Sequence, residues 1–345
     1  MIILNNIAIY PLLTIITNIG KRSFENMGKL IKKSGDTISR MLRPGHESLE
    51  ASRKIAQQIF ANKKELLVII DETMIKKIHS QMMEGTGWLF DTKIGRSINA
   101  YRLIIGAISD GKFTVPISAA FTFGKEFYAN PSQALEVTVR LFINTAQKLF
   151  PNARIIGTLD GAYATVNNLK WAIENNIGLE VRMHSNRVVE YKGKKQKLRE
   201  IKEIRPKGRQ MARTIEAIWQ GLSLQITAVR RIDKHGNETI VYQAATYKAT
   251  PSQHAKNYKW RWGIEKLNRT TKQSLGLQEC FSRKIGTQFD HICAVLLAYS
   301  IAQLEMKQKG YKNPEAAIKA LKKKKPSFLN RKFDRLDQDI DIAYA

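Results

Sequence analysis

A chain of 345 residues with a formal net charge of +27 and a pI near 10.0 carries far more positive charge than solubility needs. Its 43% hydrophobic and 8% aromatic residues are those of a folded protein, long enough for a catalytic core with one or two smaller modules. The basic excess is spread along the chain and points to a polyanion; no membrane-seeking helix stands out, so nucleic acid is the expected partner and a membrane is not.

The opening MIILNNIAIYPLLTIITNIG is apolar but has no basic leading region or small-residue cleavage site, and it contains Asn5, Asn6 and Pro11. It reads as a packing helix. Residues Phe24 to Leu42 read as two short helices around Ser34-Gly35, with Asp36 capping the second. This resembles a helix-turn-helix in which Ile38, Met41 and Leu42 pack inward and Thr37, Ser39 and Arg40 face a major groove, although any helical hairpin gives the same pattern. A linker at Arg43-Pro44-Gly45 leads to a helix over about Ser48 to Ala61.

Leu66 to Ile70 (LLVII) reads as a buried strand ending in Asp71. An irregular segment is expected from there to about Asn99. Strands follow at Tyr101 to Ser109 and Lys112 to Phe123, joined by the hairpin signal Asp110-Gly111. A helix over Ser132 to Leu149 precedes a second buried strand, Ile155 to Leu159, ending in Asp160, and a helix over Ala164 to Asn175 comes next. This order of strand, hairpin, helix, strand and helix is that of an α/β, ribonuclease H-like core: a mixed sheet with acids at adjacent strand ends.

From about residue 179 to 249 the chain turns strand-rich, which predicts an inserted β-subdomain. Within it, YKGKKQKLREIKEIRPKGRQMAR reads as a basic loop suited to phosphates or simply to solvent. Next comes YKWRWGIEKLNRTTKQSLG, with Ser252 to cap a helix and Gly276 to stop it. At about 100° per residue, offsets of 3, 7 and 14 from Tyr258 bring Arg261, Glu265 and Lys272 into one stripe about 60° wide. One carboxylate then lies among phosphate-binding groups. Cys280 and Cys293 form no close pair and no zinc-spaced cluster, so buried free thiols are expected, in a reducing cytoplasm. Thr287 to Met306 is an apolar helix for the core or for a second subunit, and a basic tail with Lys322 to Lys325 before Pro326 closes the chain.

The expected organisation is therefore a small helical region at 1–62, a catalytic domain at 63–310 carrying the insertion at about 179–249, and a basic tail at 311–345. Three carboxylates, Asp71, Asp160 and Glu265, supply hard oxygen ligands for two Mg²⁺ ions, with Mn²⁺ as a substitute, in phosphoryl transfer. Without a cation they repel one another and at least one pKa rises. A two-carboxylate glycosidase is the rival chemistry, and the charge argues against it.

Tyr258-x2-Arg261-x3-Glu265-x6-Lys272 resembles the Y-R-E-K signature of bacterial insertion-sequence transposases, the DDE enzymes of the insertion-sequence-four type. Asp71 before Glu72-Thr73, Asp160-Gly161 followed by Tyr163, and a large β insertion before the glutamate all agree with it, and the resemblance spans about residues 63 to 308. It implies cut-and-paste transposition: one strand is hydrolysed at the element's end, the freed 3′ hydroxyl attacks the other strand, and the end is joined to target DNA. Asp71, Asp160 and Glu265 would bind the metals, and Tyr258, Arg261 and Lys272 would hold phosphates near the cleaved end. Relatives that pass through a DNA hairpin use an aromatic to hold a flipped base, for which Trp219 is the candidate, while Trp260 and Trp262 read as packing. The implied partners are terminal inverted repeats, target DNA and a second copy of the chain, met through Thr287 to Met306, in the nucleoid. The rivals are an inactive copy that only binds DNA, and a metal-dependent, structure-specific nuclease that cuts without joining.

Overall fold

The computed structural model describes residues 9–78, 80, 82–122, 130–232 and 235–323. The expected N-terminal packing helix is α1 (Ile9–Ile16), every residue of which is buried; residues 1–8 of that reading lie outside the described ones. Helices α2 (Phe24–Ile31) and α3 (Gly35–Met41) form the hairpin. Ser34, not Asp36, caps α3: its hydroxyl accepts from the Thr37 amide at 3.2 Å, and Asp36 sits in the first turn. Helix α4 (Gly45–Phe60) starts at Gly45, whose N–H donates to Asp290 at 2.8 Å.

Strand β1 (Glu65–Lys76) does not stop at Asp71, which lies in its middle. The segment expected to be irregular holds the rest of β1 and also β2 (Gly87–Asp91), paired with the start of β3 (Arg96–Ser109). Local composition there is polar and glycine-broken, so pairing to β3, a long-range term, decides the conformation. Strands β3 and β4 (Thr114–Thr122) form the expected hairpin, with Asp110 Oδ1 accepting from the Lys112 and Phe113 amides; Phe123 lies outside the described residues. Gly111 in this turn has φ +85°, and a Cβ there would sit inside the Trp260 indole. Gly111→Ala should therefore cost about 2 kcal/mol, read as a lowered denaturant midpoint at unchanged slope.

Helix α5 (Pro131–Leu149), β5 (Arg154–Leu159), α6 (Val166–Glu174) and β6 (Gly178–Met183) complete the core. In space the core strands run β4-β3-β1-β5-β6, with β1, β5 and β6 parallel and β3 and β4 antiparallel to their neighbours. This is the ribonuclease H-like mixed sheet. Phe142 of α5 packs where a side chain on Gly106 would stand, and Gly106 pairs with Ile70. Alternation then turns Asp71 to the opposite face, the one taken by the later helices.

The strand at 178–183 belongs to this core, so the insertion starts after it. It comprises β7 (Val188–Tyr191), β8 (Lys194–Lys197), β9 (Ala212–Trp219), β10 (Leu222–Ile232) and β11 (Glu238–Ala245). It is continuous with the core: β11 pairs antiparallel with β6, giving one sheet of eleven strands among the described residues. The basic stretch expected to be a loop contains the turn of the β7–β8 hairpin, all of β8 and two short 3₁₀ turns, because Leu198, Ile201 and Ile204 are interleaved with its basic residues and are buried.

Helix α7 (Pro251–Ser274) is capped by Thr250, whose side chain accepts from the Gln253 amide at 3.2 Å, with Pro251 opening the first turn. The expected cap, Ser252, lies inside that turn. Gly276 follows the helix end at φ +73°, and a Cβ there would stand 2.6 Å from Arg22 Cδ. The buried Arg22 guanidinium donates to the carbonyls of Thr14, Thr17 and Ser274 and pairs with Glu279 at 3.0 Å, tying α1 to the end of α7. Helix α8 (Ile285–Lys309) is long and apolar enough to cross a membrane, but 72% of its apolar window is buried inside the fold. It packs on α1, α4 and β4, with His291 donating from Nε2 to the Gly276 carbonyl and accepting at Nδ1 from the Tyr10 hydroxyl. The surface expected to meet a second subunit is thus used internally. Both cysteines are free and buried. Helix α9 (Pro314–Lys323) ends the described chain; Lys325 and Pro326 lie beyond it.

Candidate active site

Ile70 and Leu159 are register partners of the parallel strands β1 and β5. Asp71 and Asp160, the next residue of each, are therefore brought to the same place on the sheet. Asp71 continues β1, whereas Asp160 leaves β5 and opens a 3₁₀ turn at Gly161–Tyr163. Helix α7 crosses this end of the sheet, packing on β1, β3 and β5. The buried face of α7 includes His254, Asn257, Arg261, Ile264 and Leu267. Glu265, next to that face, is half-buried above the aspartates.

The three carboxylates share one electrostatic field. Burial pushes the Asp71 carboxyl up to about 6; Arg261 opposes the shift, while Asp160 and Glu265 reinforce it. Burial also raises Glu265, offset by Arg261 and Arg231, with Asp160 again pushing upward. Glu265 accepts from Arg261 Nη2 at 2.9 Å, and Asp160 pairs with Arg182 of β6 at 3.7 Å. Two of the three acids are thus turned onto arginines. Among the described residues no three His, Cys, Asp or Glu side chains converge tightly enough to close a metal shell.

The stripe read from the sequence is present on α7, with Tyr258, Glu265 and Lys272 half-buried and Arg261 buried. Burial lowers Lys272 to about 8, helped by Lys76 and Lys93 and opposed by Asp71 and Asp91. Tyr258 accepts from Arg231 Nη1 at 3.5 Å, so the end of β10 reaches the helix from the insertion.

Sequence reasoning missed three residues here. Asn268 donates to Asp71 Oδ2 at 3.4 Å, and its own buried Oδ1 has no partner. At an offset of ten from Tyr258 it falls near 280°, just beside the stripe, so extending the helical wheel by one position would have found it. Arg182 and Arg231 come from β6 and β10, and only the tertiary pairing of those strands brings them in. A buried polar cluster was missed as well: Glu180 Oε1 takes His254 Nδ1 at 2.6 Å, Tyr247 Oη at 2.5 Å and Asn257 Nδ2 at 3.0 Å, fastening the start of α7 to β6.

The other candidates lie elsewhere. Trp219, at 4% exposure, ends β9 within the core, its ring covered by Arg187 at 5.6 Å, so no face of it is open to a base in this conformation. Thr37 is half-buried with its hydroxyl on Ser34 at 2.9 Å, and Arg40 is exposed on α3; the fold does not bring either to the carboxylates.

The family model described as Transposase DDE domain matches residues 62–301. Among solved structures, the chain is similar to the Mos1 transposase paired-end complex with left transposon end, at 12% identity and a TM-score of 0.22, over 49% of this chain and 56% of that one. The chain spans just over half the length of that protein, and a likeness so remote adds nothing to what the strand order shows. No curated protein matches the chain.

Proposed function

The chain belongs to the transposase DDE domain family, and from that premise we propose that it is a DNA transposase that cleaves the ends of a bacterial insertion sequence and joins them to target DNA. The carrying observation is the electrostatic coupling of Asp71, Asp160 and Glu265, three acids from separate elements, beside a helix stripe of phosphate-binding side chains. The donor set fits a divalent cation: hard carboxylate oxygens, two of which, on Asp71 and Glu265, have their pKa raised in a way a positive ion would relieve, with the orphaned Asn268 Oδ1 as a further oxygen. Asp71, Asp160 and Glu265 would hold two Mg²⁺ ions, or Mn²⁺ in their place. Bound there, the ions would activate the attacking oxygen and stabilise the leaving one.

The chain's own residues do the rest. Arg261 and Arg182 neutralise Glu265 and Asp160 and so compete with a cation for them. Arg261 can grip a phosphate through two donors, Lys272 offers a point charge, and Tyr258, oriented by Arg231, supplies a hydroxyl. The spacing of these four α7 residues supports the insertion-sequence-four type. Terminal repeats and target DNA as partners, a dimer on paired ends and a nucleoid location belong to the same reading. For Trp219 to hold a flipped base, its strand end would have to open.

The deciding experiment is cleavage and joining of a labelled duplex bearing the terminal repeats that flank this gene, with and without Mg²⁺. Specific binding without cleavage under every metal condition would instead favour an inactive, DNA-binding copy. Lys272→Gln should lower the slope of log K against log salt by about 0.9, one phosphate contact; an unchanged slope would count against Lys272 touching the backbone.

A further inference from the structure

Strand β2 ends the eleven-stranded sheet, and no described strand pairs with its outer edge. Trp88 and Phe90 of β2 stand opposite Asn99 and Ser97 of β3, and Asn99 lies six residues from Ile105, the register partner of Asp71. Opposite residues of antiparallel strands share a face, so both aromatics project from the catalytic face, about 20 Å along the sheet from the carboxylates. The segment before β2 covers part of the same face: Asn99 Nδ2 donates to the Ser80 carbonyl at 2.6 Å and the Tyr101 hydroxyl to the Glu84 carbonyl at 2.9 Å. The Glu84 amide in turn donates to the Arg283 carbonyl at 3.1 Å. Met82 and Phe281 lie on the two segments so joined, and with Trp88 and Phe90 all four side chains are between 62% and 77% exposed. Three aromatics at about 150 to 250 Å² each, with Met82, leave roughly 500 Å² of apolar surface bare. That is over half of the about 800 Å² that each partner of a stable complex covers, and a patch of this size marks a binding surface. Charge decides what it binds. Residues 78–95 contain Glu84, Asp91 and Lys93 but no other Asp, Glu, Lys or Arg, in a chain of net charge +27; Lys76, at the border, is paired with Asp91, and the basic residues Arg283 and Lys284 stand only at the rim. A phosphate backbone finds no grip at the centre of this patch, whereas two copies of a strongly basic chain can meet here without like charges between them.

We propose that this patch is the contact surface for a second copy of the chain, the two β2 strands pairing antiparallel about a two-fold axis at Leu89. In that register Trp88 of each copy stands opposite Phe90 of the other and Gly87 opposite Asp91, so all four aromatics fall on one face and the sheet runs on through both copies. An axis perpendicular to the sheet keeps both catalytic faces on the same side of the pair. Helix α8, the surface expected from the sequence to make this contact, is spent inside the fold. That the pair acts on two DNA ends rests on the transposase reading; the surface itself rests on exposure, charge and register.

The test uses the full chain and two double variants, Trp88→Glu with Phe90→Glu and Trp88→Lys with Phe90→Lys, at exposed positions where substitution leaves the fold intact. Size is followed by analytical ultracentrifugation at micromolar protein, with and without the terminal-repeat duplex. The expected result is a dimer for wild type and a monomer for each variant alone, its dissociation constant raised at least about thirtyfold, at an unchanged melting temperature. Mixing the two variants in equal amounts should restore association, more weakly than in wild type and fading as salt rises, because the new carboxylates of one copy then face the new ammonium groups of the other. A variant that misfolded could not be rescued in this way. A monomeric wild type under both conditions, a variant that dimerises as wild type does, or a mixture no tighter than its parts would overturn the proposal. Variants that stay dimeric but lose affinity for duplex or single-stranded DNA would overturn it too, in favour of DNA on the patch. A wild type that dimerises and is rescued as expected but does not cleave would defeat the transposase reading and leave the surface standing.

Discussion

Replacing Glu265 by Gln should abolish strand cleavage and joining, by roughly a thousandfold or more, about 4 kcal/mol in the barrier, while binding to the terminal repeats persists. Gln keeps the shape of the side chain and can still accept from Arg261, so α7 stays seated; it removes only the charge that a divalent cation needs. Asp71→Ala and Asp160→Ala should do the same from the sheet. Cleavage by the Gln variant near the wild-type rate, or wild-type cleavage in excess EDTA, would end the three-carboxylate account.

Asp71→Asn should make the protein more stable while inactivating it. The Asp71 carboxyl titrates near 6 in the fold and near 4 in an unfolded chain. Between those values the folded state keeps a proton that the unfolded state has lost, so this group's contribution falls as pH rises and its penalty is complete above about 6. Two units correspond to about 3 kcal/mol, and partial relief by solvent leaves about 2 for the gain on substitution at neutral pH. The melting temperatures of variant and wild type should converge below about pH 4, where Asp71 is neutral in both states. A variant no more stable than wild type at pH 8 would show that the carboxylate is not strained.

The core was legible in the sequence where signals were local. Buried strands such as Leu66 to Ile70 announce themselves by an apolar run, the turn at Asp110-Gly111 by its dipeptide, and the α7 stripe by helical spacing. What escaped was set by distant pairing. Strand β2 has no apolar alternation of its own and exists because β3 extends far enough to hold it. Strand β6 reads as part of the insertion because its composition resembles that of its later neighbours; only its parallel register with β5 assigns it to the core. The same limit explains the missed Arg182 and Arg231, whose places at the site follow from strand order. Trp219 is covered at the end of its strand, so its surroundings too are set by neighbours the local sequence does not name.

The pairing of β11 with β6 also bears on how this chain can be divided. Cutting out the insertion would not release a self-contained core; it would strip β6 of its neighbour and expose a row of unpaired amides and carbonyls one strand away from Asp160. Such a bare edge recruits other chains by strand addition. A shortened version of this protein would therefore tend to aggregate, and any distortion of the insertion would be passed through the ladder to the strand that carries the second aspartate.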